Sequence, residues 1–525
     1  MRNLKFFSAL FLFFLVCFFG TRTTAFSQTA IMAGSNDENT LRDLQLLGKF
    51  NNNYSFTVRP IYLNMLASQE LDSLQPYLAQ LGNYNSSKLS KKWGLITYPI
   101  EWQQQYNTHS SWGRNNGAFL MVKGYQQLAR AGVTIISKYA ELQLLPEFFY
   151  SAALPTTTGN YTKFSLGQSA LRIHLGPLPF SVSFSNENIW WGPGIFNSLL
   201  LSNNAPGFKH VRLHTNRPWK TPIGNIEFQL LGGNLSNEPL LPFENQNLKR
   251  FDQVFGTVPK HASRYFNGVN ISYAPRFLKN FSVGANRMFQ YYSEDVPKVG
   301  NFLNKYVPVF GVLFKSKTGG GNGLEEDARN RDQLINIFAR YVFPSVQTEI
   351  YGEYGWNDHS YNLRDFALNP DHSTAYLVGM RKVVPLQKTK NITVEAELTQ
   401  MEPTNSDIAR PAGNWYVHGG VIEGYTNENQ IIGGGVTPGD NTATIRVSLT
   451  NKLIKQSITV ERYQHNPRFN SIAWTDWCLA LKHQQFIYNK VLLSGGMDIL
   501  KRRGFQFTTE RPMNFQFSLK AQYFW

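Results

Sequence analysis

The last eleven residues, Phe515-Gln516-Phe517-Ser518-Leu519-Lys520-Ala521-Gln522-Tyr523-Phe524-Trp525, decide the fold. Successive side chains of a strand point to opposite sides. Phe515, Phe517, Leu519, Ala521, Tyr523 and Trp525 therefore share one face, and Gln516, Ser518, Lys520 and Gln522 share the other. The same period recurs upstream. Phe180, Val182 and Phe184 alternate with Ser181, Ser183 and Ser185, and Ile392, Val394, Ala396 and Leu398 alternate with Thr393, Glu395, Glu397 and Thr399. Ala443, Ile445, Val447 and Leu449 alternate in the same way with Thr444, Arg446, Ser448 and Thr450. From about residue 96 onward this period of two dominates, and Gly- and Asn-rich loops such as 319–323 and 433–440 separate the runs.

A strand with one apolar and one polar face fits a soluble sandwich or a membrane barrel, and three features select the barrel. Glu349, Glu353, Glu395, Glu397 and Arg446 fall in mid-strand on the polar face, as expected of a wet lumen. The apolar face is unusually aromatic, as the girdles at the two membrane interfaces require. An amphipathic last strand that closes on Tyr523 and Trp525 resembles the terminal signal read by the machinery that assembles outer-membrane barrels. About 430 residues at roughly 22 to 27 per strand and connection predict 16 to 20 strands.

Composition supports this choice. Only 16% of the 525 residues are charged, against roughly 25% in ordinary soluble domains. With 39 Phe, 25 Tyr and 11 Trp, the chain is too aromatic to be disordered. A mean hydropathy of −0.31 excludes a bundle of membrane helices, and beyond the first 20 residues no run of 18 apolar residues occurs. No internal repeat suggests a propeller or solenoid.

The N-terminus predicts export. Arg2 and Lys5 precede the apolar stretch Phe6 to Gly20, and Ala25-Phe26-Ser27 offers a cleavage site, so residues 1–27 read as a signal peptide. Cys17 follows Phe14-Leu15-Val16, which lacks the small residue that lipidation needs. Cleavage would leave a net charge of +13 and one cysteine, Cys478, hence no intramolecular disulfide. Leu41, Leu44 and Leu47 then recur at helical spacing after Asp37-Glu38-Asn39, with Gly48 as a stop. Leu71, Leu74, Leu78 and Leu81 repeat that spacing around Pro76. Residues 28–95 are thus expected to be a small helical region, with the barrel over 96–525.

The most distinctive stretch is Ile189-Trp190-Trp191-Gly192-Pro193-Gly194-Ile195-Phe196-Asn197, followed by Ser202-Asn203-Asn204-Ala205-Pro206-Gly207-Phe208. Two irregular loop motifs in this order resemble the Wzi-like capsule assembly proteins. Supporting pieces are Leu41-Arg42-Asp43-Leu44-Gln45-Leu46-Leu47, Asn116-Gly117-Ala118 with Lys123-Gly124, and Tyr351-Gly352-Glu353-Tyr354-Gly355. The resemblance implies an outer-membrane barrel of about 18 antiparallel strands with a helical plug at its periplasmic end. It also implies a lectin-like, non-enzymatic role in attaching capsular polysaccharide or exopolysaccharide, with no cofactor. A saccharide-selective porin or polysaccharide export channel is the alternative, and a glycan hydrolase a third.

Gly192, Pro193 and Gly194, and later Pro206, Gly207 and Phe208, are candidates for fixing backbone direction. Trp190 and Trp191 are candidates for stacking on sugar rings, with Asn203, Asn204 and Arg217 satisfying hydroxyls. The competing expectation is that these tryptophans anchor a loop and pack the plug. The basic excess suits an anionic polymer, and the candidate clusters are Lys249-Arg250, Arg329 with Arg331, Arg381-Lys382 and Lys501-Arg502-Arg503. Each reads first as a solvated rim or a contact to outer-membrane lipid, because scattered basic pairs are common on rims. An exported barrel is not expected to bind nucleic acid. Glu325-Glu326-Asp327 lacks EF-hand spacing and reads as an acidic loop. His210 and His214, about 13 Å apart if extended, are too distant to share a metal and are expected at the surface. No nucleophile elbow, P-loop or zinc-protease motif is found.

Overall fold

In a computed structural model the described residues are 30–50, 53–62, 73–74, 76–78, 93–109, 117–152, 160–236, 263–298, 306–307, 309, 331–357, 367, 370, 372–402, 414–436, 438–465, 474–488, 490–503 and 513–524. The expected signal peptide, the acidic loop at 325–327, the basic residues Lys249, Arg250 and Arg329, the leucines Leu71 and Leu81, and Trp525 lie outside them. Among the described residues no helix is long and apolar enough to cross a membrane.

Twenty-three strand segments form one closed barrel. In five places two consecutive segments follow one another along the same neighbours, so the barrel has eighteen continuous antiparallel strands. The interrupted ones are β1 (Trp93–Thr97, Ile100–Asn107), β2 (Gly124–Arg130, Val133–Ser137), β3 (Ala140–Leu144, Glu147–Ser151), β4 (Tyr161–Ser165, Ala170–His174) and β6 (Lys209–Thr215, Trp219–Thr221). Pro99, Pro146 and Pro218 stand in three of the gaps, where a residue without an N–H breaks the ladder. Gly167, at φ +53, stands in a fourth.

The remaining strands are β5 (Phe180–Ser185), β7 (Gly224–Leu235), β8 (Arg264–Pro275), β9 (Phe281–Tyr292), β10 (Asp332–Phe343), β11 (Thr348–Asn357), β12 (Thr374–Pro385), β13 (Lys390–Gln400), β14 (Asn441–Asn451), β15 (Ile454–His465), β16 (Trp474–Ile487), β17 (Val491–Arg503) and β18 (Met513–Tyr523). β18 closes the barrel on β1, with Tyr523 opposite Ile100 and Gln516 opposite Asn107. Connections are short at one end of the barrel, as between β10 and β11 or β14 and β15, and long at the other. In outer-membrane barrels the short turns are periplasmic.

Alternation sorts the faces as the sequence predicts. Ile445 and Val447 on β14, Leu398 on β13 and Phe517 and Leu519 on β18 point outward and are exposed. The inward face departs from expectation. Glu349, Glu353, Glu395 and Glu397 are at most 4% exposed, because the lumen is filled rather than wet.

The filling enters from both ends. Helix α1 (Asn36–Leu46) starts at Ser35, whose Oγ accepts from Glu38 N at 3.2 Å, and Gly48, at φ +69, ends it. Leu41 and Leu44 pack with Phe50, Phe56, Leu74 and Leu78 in a small core. Leu46 reaches Val342 and Val383 at the short-turn end of the wall. The described residues of this N-terminal region therefore stand at that end, and the first strand segment of the barrel starts at Trp93. From the opposite end, residues 186–208 between β5 and β6, and residues 414–440 between β13 and β14, fold inward. They share one large apolar core that includes Trp191, Phe196, Leu199, Leu200, Trp415, Tyr416 and Tyr425.

Candidate functional site

The Trp-Gly-Pro-Gly stretch joins the wall to the plug. Trp190 and Trp191 pair as a short strand with Arg59 and Val58 of the plug. Beyond them the chain turns sharply at Gly192, at φ +96, where a Cβ would lie 2.3 Å from a carboxylate oxygen of Glu353. The donors of the turn go to the wall. The Glu397 carboxylate accepts from the backbone N–H groups of Ile195 (2.7 Å), Phe196 (3.2 Å) and Asn197 (2.7 Å), and Glu353 accepts from Leu199 (3.1 Å). Its acceptors go to the plug. Arg42 donates to Pro193 O at 3.0 Å, and Arg59 to Gly192 O and Gly194 O.

Both plug arginines are themselves paired, Arg42 with Glu349 at 2.9 Å and Arg59 with Glu38 at 2.8 Å. Burial pulls the Arg59 guanidinium below its ordinary range, against the opposing field of Glu38. Arg381 on the wall completes the frame, bridging Asp43 of α1 (2.7 Å) and Glu395 of β13 (2.8 Å). Arg381 is thus an internal anchor rather than part of a solvated basic rim.

The five candidate sugar ligands do not converge. Trp190 and Trp191 are 0% exposed. The Arg59 guanidinium lies 4.7 Å from the Trp190 ring centre, and Trp191 Nε1 donates to Gln229 at 2.8 Å. Asn204 is buried and donates to Ile431 O (3.1 Å) and Gly435 O (2.7 Å), holding the 414–440 segment. Arg217 sits at the short-turn end and donates to Pro177 O at 3.0 Å. Asn203 donates to Ala33 O of the plug, and its Oδ1 carries no hydrogen bond among the described residues.

His210 and His214 are buried, not at the surface. They face the lumen from β6, with His214 in contact with Ser183 Oγ at 2.7 Å and its ring 5.2 Å from that of Tyr62. Arg331 and Arg502 are also buried, while Lys501 and Arg503 are exposed. Tyr523 is half-buried at the end of β18. Trp190→Ala and Trp191→Ala are each expected to destabilise the folded barrel by about 3 to 5 kcal/mol, the range for large buried aromatics. The check is the denaturation midpoint measured beside glycan affinity. A platform role requires affinity to fall in a barrel of unchanged stability.

Asn203, Pro206, Gly207 and Phe208 do line a space. A cavity of about 1390 Å³ lies between the plug, the signature segment and the inner faces of β1 to β4. Amides and charged groups edge it, among them Gln103, Asn188, Asn234, Arg130, Lys163 and Glu147. The sequence did not point to this wall, because its polar residues are scattered over several strands and become neighbours only through closure of the sheet.

Eighteen strands, a lumen filled from both ends and a polar cavity beside the plug define a plugged β-barrel rather than an open pore. The chain belongs to the Wzi capsule assembly protein family, whose model matches residues 83–468. Among solved structures it is similar to Wzi of Escherichia coli, described as an outer-membrane protein involved in group 1 capsule assembly and a carbohydrate-binding β-barrel. Identity is 12% and the TM-score 0.64, over 94% of this chain and 99% of that one. A BenF-like porin from Pseudomonas fluorescens Pf-5 aligns with a TM-score of 0.41 at 8% identity, over 82% of this chain and 99% of that one. The outer-membrane protein opdK from Pseudomonas aeruginosa aligns with a TM-score of 0.41 at 10% identity, over 82% and 98%. No curated protein matches the chain by sequence.

Proposed function

We propose that this chain is a non-enzymatic, lectin-like protein of the bacterial outer membrane that holds capsular polysaccharide or exopolysaccharide at the cell surface. Membership of the Wzi family supports the reading, as does the carbohydrate binding described for the E. coli protein. The observation that carries it is the interlocked lumen, in which buried ion pairs tie the plug to the wall and buried hydrogen bonds tie the signature segment to both. A porin or export channel needs a path through that space, whereas a surface attachment protein needs only a rigid barrel with a binding face. In this account the signature tryptophans position the loops, while Asn203 and the Pro206-Gly207-Phe208 turn contribute to the polar cavity.

Reconstituted in a planar bilayer, the protein is expected to show no large steady conductance. High conductance that added polysaccharide leaves unaltered would favour a channel. The excess of basic residues further predicts that polymer binding weakens with salt, since the screening length falls from about 10 Å at 0.1 M to about 3 Å at 1 M. Binding measured across that range checks the acidic character of the polymer.

A further inference from the structure

The short connections at the periplasmic end share one composition. There are eight, at 138–139, 175–179, 222–223, 276–280, 344–347, 386–389, 452–453 and 488–490. Five hold cations, namely Lys138, Arg276 with Lys279, Lys388, Lys452 and Lys490, and none of the eight holds a carboxylate. Among the described residues these six cations form no ion pair. The long connections at the opposite end carry both signs, as in Lys249-Arg250 and Glu325-Glu326-Asp327. The periplasmic rim is therefore positive all the way round.

The same rim is apolar. Phe277 and Tyr488 are 86% and 92% exposed, and Tyr139, Leu178, Ile223 and Val346 are exposed with them. The lipid-facing stripes run on into the turns, from Ile173 to Leu175 after β4 and from Val384 to Leu386 after β12, with all four side chains exposed. Apolar side chains followed directly by cations make the composition of a lipid interface, where the first meet acyl chains and the second meet phosphate. Two adjacent turns concentrate the charge. Lys452 N donates to Thr389 O at 3.3 Å and Thr389 Oγ1 to Asn451 Oδ1 at 3.1 Å, which holds the β12–β13 turn against the β14–β15 turn. Lys388 and Lys452 are exposed there, and Lys390, half-buried on the outward face of β13, lies opposite Asn451. Lys49 of the plug donates to Lys388 O at 3.0 Å, bringing a fourth cation to the same point. Leu386 and Ile454, both exposed, flank this cluster two residues away along the chain.

A protein partner would dock on one arc of the barrel, whereas this pattern recurs in turns from β2 to β17. Only a lipid leaflet meets the whole circumference at one level. We propose that the short-turn rim is a binding collar for anionic phospholipids of the periplasmic leaflet, centred on Lys388, Lys390 and Lys452. Phosphates lie at the cations, and acyl chains lie against Leu386 and Ile454. This inference rests on the outer-membrane reading and adds to it a lipid class that holds the plugged end of the barrel.

The test replaces Leu386 with a photoreactive benzoylphenylalanine in the full-length protein and reconstitutes it in bilayer discs of phosphatidylcholine with a minor share of phosphatidylglycerol. A second sample adds soluble peptidoglycan fragments to the same discs. Molecule for molecule, cross-linking is expected to favour phosphatidylglycerol over phosphatidylcholine by about tenfold, equivalent to about 1.4 kcal/mol. The preference should shrink as salt is raised, and vanish when Lys388→Gln, Lys390→Gln and Lys452→Gln are combined. The same probe at Tyr106, exposed near the opposite end of β1 between Tyr125 and Phe517, is expected to show no preference. Equal labelling of the two lipids, a preference that survives in the triple variant or recurs at Tyr106, capture of the label by peptidoglycan, or no labelling would each overturn the proposal. Surface retention of polymer, measured separately in cells, reports on the general function and would survive any of those failures.

Discussion

Arg381→Met is expected to convert a closed barrel into one that conducts. The guanidinium joins helix α1 to the wall through Asp43 and Glu395, and it also donates to Asn39 O at 2.6 Å. Methionine keeps much of the volume and removes every donor. Asp43 would retain Thr393 Oγ1 at 3.1 Å, and Glu395 would retain Arg446, so the charge left without a full partner is chiefly that of the plug. Breaking one side of a buried pair costs about 3 to 5 kcal/mol. The eighteen-strand ladder does not depend on this contact, so the loss falls on plug docking. Single-channel recordings should show openings that the parent lacks, with the barrel still resistant to denaturant. Silent recordings with an undiminished denaturation midpoint would mean that the plug is held elsewhere.

Glu397→Ala acts on the other joint. Its carboxylate receives three consecutive backbone N–H groups of the signature segment and the Tyr351 hydroxyl at 2.9 Å. Alanine leaves those donors buried and unpaired at about 1 to 3 kcal/mol each. The expected result is a loosened segment from 192 to 208, seen as faster amide hydrogen exchange there while the strands stay protected. Glu397→Gln, which keeps one acceptor oxygen, should fall between the two. Unchanged exchange in the alanine variant would show that the apolar core around Leu199 and Trp415 suffices to hold the segment.

Much of the architecture was legible because it depends on a local period. The alternation at 392–399 and 443–450 reports which side chains point inward whatever the barrel's size, and the helical spacing of Leu41 and Leu44 reports a plug helix. What alternation does not report is what the inward side chains meet. Glu353 and Glu397 look the same in sequence whether they face water or a buried turn. The partners that decide this, the N–H groups of residues 195–199, lie about 150 to 200 positions away along the chain. For the same reason His210, His214 and Arg381 read as surface residues and are buried.

The signature was recognisable from its irregular Gly and Pro spacing, and Gly192 shows why such spacing is needed, since its backbone is left-handed and its face meets Glu353. That spacing does not set the role of the adjacent tryptophans. A large aromatic ring serves a sugar or a core equally well, and only burial separates the two. At 0% exposure Trp190 and Trp191 act through packing. β5 ends at Ser185, and from there the signature segment turns inward over the lumen.

The central claim is that this plugged barrel keeps polymer on the cell, and the most direct measurement is the partition of polysaccharide between cell-attached and released fractions. A strain lacking the protein is compared with its complemented parent. The account predicts that total polymer is unaltered and shifts to the medium when the protein is missing. Disappearance of total polymer would contradict it in favour of export, and an unaltered partition would contradict the attachment role itself.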